Sequence, residues 1–205
     1  MQIALSTGQW GTIASSIVAK QYPALREVTL NTIDTLKHDD LAAIFDLKEL
    51  SRFSVISRTG GWPVEISAAE LGSLLRRAPQ LRVLHLEPLE IIQTVGNEER
   101  LSNILQACAS FGRNVVELHL SLITDSISAG ESWDVSGLSP FEKLEYFELA
   151  NSSIHERSID LVVNLLYAIL PKRCRFEISR RMNWSSKEIA AEIRTRWIRR
   201  NGAWV

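Results

Sequence analysis

Two histidines and two glutamates occupy the same place in four similar short stretches: His85 in LRVLHL, His119 in VVELHL, Glu148 in LEYFEL and Glu177 in RCRFEI. Imidazole is the side chain that changes charge nearest neutral pH, and a carboxylate beside it can accept its N–H. Brought into one row, these four side chains could do three things. They could stay a solvated polar face. They could offer a rigid mixed surface to a protein or peptide. Two imidazoles with a carboxylate could also ligate a metal ion.

A repeat would bring them together. Pro23–Leu30 (PALREVTL), Pro79–Leu86 (PQLRVLHL), Asn114–Leu120 (NVVELHL) and Phe141–Leu149 (FEKLEYFEL) read alike, with weaker copies at Leu47–Val55 and Pro171–Ile178. Each ends in an apolar–x–apolar pair: Val28/Leu30, Phe53/Val55, Leu84/Leu86, Leu118/Leu120, Phe147/Leu149 and Phe176/Ile178. The second members step along the chain by 25, 31, 34, 29 and 29 residues. Alternation of period 2 is the mark of a strand with one buried face. Between the copies lie helical patterns at Leu41–Phe45, Leu71–Leu75, Leu101–Leu105 and Leu161–Ile169, with another at Ile13–Val18 before the first copy. Asp39 and Asp40, the Ser67/Glu70 box, Asn97 and Ser158 are the expected helix starts, and Pro23, Pro79, Pro140 and Pro171 the expected stops.

One strand with one helix cannot bury its apolar faces alone, so such units stack into a parallel sheet covered by helices. Stacked in register, the residues flanking each buried pair form three rows on the open side. The central row is Thr29, Ser54, His85, His119, Glu148 and Glu177. One flanking row is Glu27, Arg52, Val83, Glu117, Tyr146 and Arg175; the other is Asn31, Ile56, Glu87, Ser121, Ala150 and Ser179. Two segments break the rhythm: Ser57–Pro63, with Gly60 and Gly61, and the polar stretch Asp125–Pro140.

The L-x-x-L-x-L core of leucine-rich repeats is present as Leu81-Arg-Val-Leu84-His-Leu86 and, less strictly, as Leu25-Arg-Glu-Val28-Thr-Leu30. Over about residues 23–180 the chain resembles the irregular leucine-rich repeats of fungal F-box/LRR proteins. That resemblance implies an α/β leucine-rich repeat solenoid: a curved parallel sheet of about six strands with helices on the convex side. It also implies protein recognition without catalysis, as the substrate-recognition part of an F-box-type ubiquitin ligase receptor. No F-box helical module is visible before the repeats, and residues 1–22 are too short to hold one. A ubiquitin-ligase adaptor is therefore an expected partner only if an F-box is supplied. The alternative is a stand-alone scaffold or regulator; a metal-binding protein or enzyme comes third.

Composition agrees with a folded chain. Of 205 residues, 45% are hydrophobic and 23% charged, with a formal net charge of -1, which excludes disordered, collagen-like and disulfide-scaffold classes. Met1–Trp10 lacks the basic and apolar regions of a signal peptide, and no apolar run reaches the length of a membrane span. The expected location is the cytoplasm or nucleus, and Cys108 and Cys174 are expected as buried thiols. Phosphate-binding, dinucleotide-binding, nucleophile-elbow and zinc-protease motifs do not occur. His38 before Asp39-Asp40 reads as a helix start, His155-Glu156 lacks a second histidine, and Cys108 lies in a helical pattern without a nearby histidine. No catalytic residue, metal or cofactor is expected.

Charge is uneven. Residues 172–205 carry ten basic side chains against three acidic ones, while the rest carries thirteen against twenty-one. There Ser185-x-x-Glu188 reads as a capping box, and Ile189, Ile193 and Trp197 share one helical stripe, so 185–200 is expected as a capping helix of a single 1–205 domain. Its basic side could dock an acidic protein; nucleic acid and membrane are not favoured, because no aromatic–basic interleaving or nucleic-acid motif is present. The expected protein-binding residues of the concave face are Arg52, His85, Glu87, Glu117, His119, Tyr146, Glu148, Arg175 and Glu177. Trp62 and Trp133, in the irregular segments, are further candidate anchors.

Overall fold

The six apolar–x–apolar pairs all fall within strands. In the computed structural model, which describes residues 2–7, 12–32, 35–57, 64–87, 89–91, 101–120, 135, 137–149, 156–178 and 184–201, ten strands and six helices follow in chain order. Seven strands make one all-parallel sheet. They are β1 (Gln2–Thr7), β2 (Glu27–Thr32), β4 (Arg52–Ser57), β6 (Val83–Glu87), β8 (Glu117–Leu120), β9 (Tyr146–Leu149) and β10 (Arg175–Ile178). A second parallel sheet joins β3 (Leu36–Lys37), β5 (Val64–Ile66) and β7 (Leu89–Ile91). The helices are α1 (Thr12–Gln21), α2 (His38–Phe45), α3 (Ala68–Arg77), α4 (Leu101–Phe111), α5 (Ile159–Ile169) and α6 (Trp184–Asn201). Neighbouring helices pack on one another in chain order. This is an α/β solenoid of the leucine-rich repeat type.

Two strand features differ from the expectation. The sheet has seven strands where about six were expected, because β1 adds to the edge beside β2. The sequence carries a signal for it: Ile3/Leu5 stands 25 residues before Leu30, the same step that separates Leu30 from Val55. The three-stranded sheet was not expected at all. Its strands are two or three residues long, too short to show alternation, yet Leu36, Val64 and Ile66 are fully buried.

Apolar pairs stack as the sheet grows. Val28, Phe53, Leu84, Leu118, Phe147 and Phe176 are register partners in succession, each at most 1% exposed. Burying one such side chain stabilises the fold by roughly 1.5–3 kcal/mol, so the row is a major contributor to the core. The same register is stitched at the strand entrances. The Arg26 carbonyl accepts from the Ser51 and Arg52 N–H groups (2.8 and 3.0 Å). The Ser51 carbonyl takes Arg82 and Val83 in the same way, Arg82 takes Val116 and Glu117, and Val116 takes Glu145 and Tyr146. Repetition of one bond pattern holds each unit at the same offset from the last.

Helix ends follow local chemistry with three departures. At α3 the expected box is present: Ser67 Oγ accepts from the Glu70 N–H at 3.2 Å, and Glu70 Oε2 accepts from the Ser67 N–H at 2.8 Å. At α2, Asp39 and Asp40 lie inside the first turn instead of capping it, and Asp40 accepts from the Lys37 N–H at 2.9 Å. Ser158 precedes α5 but makes no capping bond, because a 3₁₀ turn, Glu156–Ser158, leads into the helix. Helix α6 starts at Trp184, so Ser185 stands within its first turn instead of before it. In α1, Ile17 is exposed, not packed inward. Ser57–Pro63 beyond Ser57, residues 121–134, Asn97, His155, Trp62 and Trp133 lie outside the described residues.

Helix α6 lies against α5 and β10. Ile193 and Trp197 are buried there, and Trp197 meets Phe176 edge-on at 6.0 Å and stacks on Tyr167 at 5.5 Å. Both cysteines are free, buried thiols, and burial pushes each up to about 12. No helix among the described residues is long and apolar enough to cross a membrane.

Candidate functional site

The pairing register places Thr29, Ser54, His85, His119, Glu148 and Glu177 directly side by side. It does the same for Glu27, Arg52, Val83, Glu117, Tyr146 and Arg175. In the third row Asn31, Ile56 and Glu87 are partners, while Ser121, Ala150 and Ser179 lie outside the described residues, as does the Glu87 side chain. These residues share a face because strand side chains alternate, and the opposite alternates fill the core.

His119 is the centre of the site. Its Nε2 lies 2.8 Å from Glu117 Oε1 on its own strand, and its Nδ1 lies 2.9 Å from Glu148 Oε2 on the next. The His85 ring stacks on it with centroids 4.5 Å apart, and the Tyr146 ring is 5.2 Å away on the other neighbouring strand. Tyr146 is then shared between two carboxylates: its hydroxyl donates to Glu177 at 2.9 Å and to Glu148 at 3.1 Å. Arg175 pairs with Glu177, and its guanidinium sits 5.7 Å from the Tyr146 ring centre. On the other side Arg52 reaches over the small Val83 towards Glu117, at 4.0 Å.

Eight of the nine expected residues therefore join one continuous network across strands β4 to β10. Glu87 is on the same face by register, with no further statement of its contacts. The donors and acceptors bias the two groups at its end. Burial first, then the bond to Glu177 and the charge of Glu148, keep the Tyr146 hydroxyl protonated well above its ordinary range. Burial acts to raise the Glu177 carboxyl, but bonds from Tyr146 and Arg175 outweigh it and hold that carboxyl below its usual value.

This arrangement suits recognition better than proton transfer to a substrate. Both ring nitrogens of His119 already face carboxylates, leaving none for a reacting group. Among the described residues no set of three or more His, Cys, Asp or Glu side chains is arranged to hold a metal ion. What remains is a fixed, half-exposed plate of imidazole, phenol, carboxylate and guanidinium. Such preorganised groups lose little conformational freedom when a partner binds. Reasoning from the sequence placed these residues in rows. It missed the Arg52–Glu117 reach across the intervening strand and the double role of the Tyr146 hydroxyl, which depend on side-chain length and not on spacing.

No family model matches the chain, and no curated protein matches it. A solved structure described as the tropomodulin C-terminal domain, from Caenorhabditis elegans, matches at 15% identity, covering 92% of this chain and 94% of that one, with a TM-score of 0.41. A likeness this loose carries no argument about activity or partners. The fold type rests on the register, the stitched strand entrances and the buried pairs described above.

Proposed function

We propose that the chain is a protein-recognition module and that the networked sheet face from Arg52 to Glu177 is its contact surface. The observation that carries this reading is the chain of contacts through Glu117, His119, Glu148, Tyr146 and Glu177. Five polar side chains are held in one geometry on the half-exposed side of a sheet whose other side is core. A solvated face gains little from fixing its side chains, whereas a binding face gains preorganisation. In this reading the partner is another protein, no cofactor is needed, and the setting is the cytoplasm or nucleus.

The test is comparative capture from cell extract with immobilised protein. The reading expects a protein retained by wild type and by Thr29→Ala but lost from His119→Gln/Glu148→Gln, with all three folded by circular dichroism. Identical retention by all three would overturn it. The narrower reading, the target-binding part of an F-box-type ubiquitin ligase receptor, rests on the repeat motif at Leu81–Leu86 and Leu25–Leu30 alone. A cullin-ligase adaptor among the captured proteins favours it; its absence favours a stand-alone scaffold or regulator.

A further inference from the structure

We propose that the depression between α5 and α6 docks a short acidic segment of a partner protein, independently of the sheet face. The depression has a volume of about 280 Å³ and is lined by Asp160, Val163 and Tyr167 of α5 and by Arg196, Arg199 and Arg200 of α6. Spacing explains the three arginines: positions i, i+3 and i+4 share one side of a helix. They sit in the segment where basic side chains outnumber acidic ones ten to three.

The three are not equivalent. Arg196 is occupied: it pairs with Asp160 across the helix gap and with Glu192 at 2.6 Å on its own helix. Arg200 lies over the Tyr167 ring, 4.1 Å from its centre, and Arg199 is exposed. Among the described residues neither makes an ion pair. The floor beneath them is fixed, because the Tyr167 hydroxyl donates to the Arg196 carbonyl at 2.5 Å and its ring stacks on the buried Trp197. Contact with the ring draws on the Arg200 charge and not on its N–H groups, which can still meet a carboxylate in bidentate fashion.

Charge distribution selects the occupant. An extended nucleic acid tracks a basic surface over many phosphates, and its affinity grows with each one neutralised. Here the basic surplus is confined to the C-terminal end, and the other 171 residues carry twenty-one acidic side chains against thirteen basic ones. A long polyanion would soon meet like charge. A short run of glutamates or aspartates needs only the patch itself.

The experiment is fluorescence anisotropy with a short fluorescein-labelled peptide of alternating glutamate and serine, using the full chain at low and at physiological salt. The expected result is saturable binding that weakens with salt and falls about tenfold in Arg199→Glu/Arg200→Glu. In Asp160→Asn, which removes a carboxylate from the depression and one of the two that hold Arg196, binding should tighten by about two- to threefold. An oligodeoxythymidylate of equal charge should bind more weakly than the peptide. The proposal is overturned by absence of binding at low salt, by a double variant that binds like wild type, or by tighter binding of the oligonucleotide. Thermal unfolding of every variant is followed, and Arg199→Gln/Arg200→Gln replaces the charge reversal should the latter not fold. His119→Gln/Glu148→Gln should bind the peptide as wild type does, which separates this site from the sheet face.

Discussion

Strands β2 and β4 and strands β8 to β10 are built on one plan and present different chemistry. Both groups bury apolar pairs on one side, pair in parallel and share the stitched entrance. On the other side, β2 and β4 place Thr29 and Ser54 in the central row, whereas β8 to β10 place His119, Glu148 and Glu177. Adjacent strands stand about 4.8 Å apart, a gap that a hydroxyl on a short stem does not bridge and an imidazole or glutamate does. The repeat thus supplies positions of equal geometry. The reach and donor–acceptor match of the occupants decide whether a row becomes a network.

If that is right, the buried sides of the two groups should respond alike and the open sides should not. Phe53→Ala and Phe147→Ala, both at fully buried positions, should each cost about 3–5 kcal/mol in urea unfolding. A difference larger than their own error would break the equivalence of the two halves. On the open side the contrast should appear. Tyr146→Phe removes a hydroxyl shared by two carboxylates and should cost about 1 kcal/mol. Thr29→Ala should stay below about 0.5 kcal/mol in the same measurement.

A weaker contrast is one of pH. The Glu177 carboxyl lies below its ordinary value in the folded protein and returns to that value when unfolded. Its bonds to Tyr146 and Arg175 therefore stabilise the fold fully above that pH and cease to do so as pH falls through the folded value. Thermal unfolding from neutral to acid pH should show the gap between wild type and Tyr146→Phe closing as the carboxyl is protonated; a gap that stays constant would remove Glu177 from the network. The last expected difference is none. Cys108 and Cys174 stand in different parts of the chain, yet burial pushes both thiols up to about 12. Neither should react with iodoacetamide at mildly alkaline pH until urea unfolds the chain, and then both should.

Much of the main sheet could be read before any coordinates. Alternation in Leu84-His85-Leu86 or Phe147-Glu148-Leu149 states which side is buried, and six copies at similar steps state that the buried sides stack. Where that signal is thin, the reading thins with it. Strand β1 offers only the single apolar pair Ile3/Leu5, and β3, β5 and β7 are too short to alternate. The helix starts expected at Asp39 and Ser185 are displaced because a polar residue suits both a cap and a first turn.

Local order along the chain was enough to determine the solenoid and the composition of its polar rows, since burial and alternation act between near neighbours. It could not determine that Arg52 passes over Val83 to Glu117, that Tyr146 joins two carboxylates, or that Arg200 covers Tyr167. Those contacts join side chains two to 65 residues apart, and they form only when packing sets the distances and side-chain length meets them. Tertiary structure alone turned rows of residues into sites.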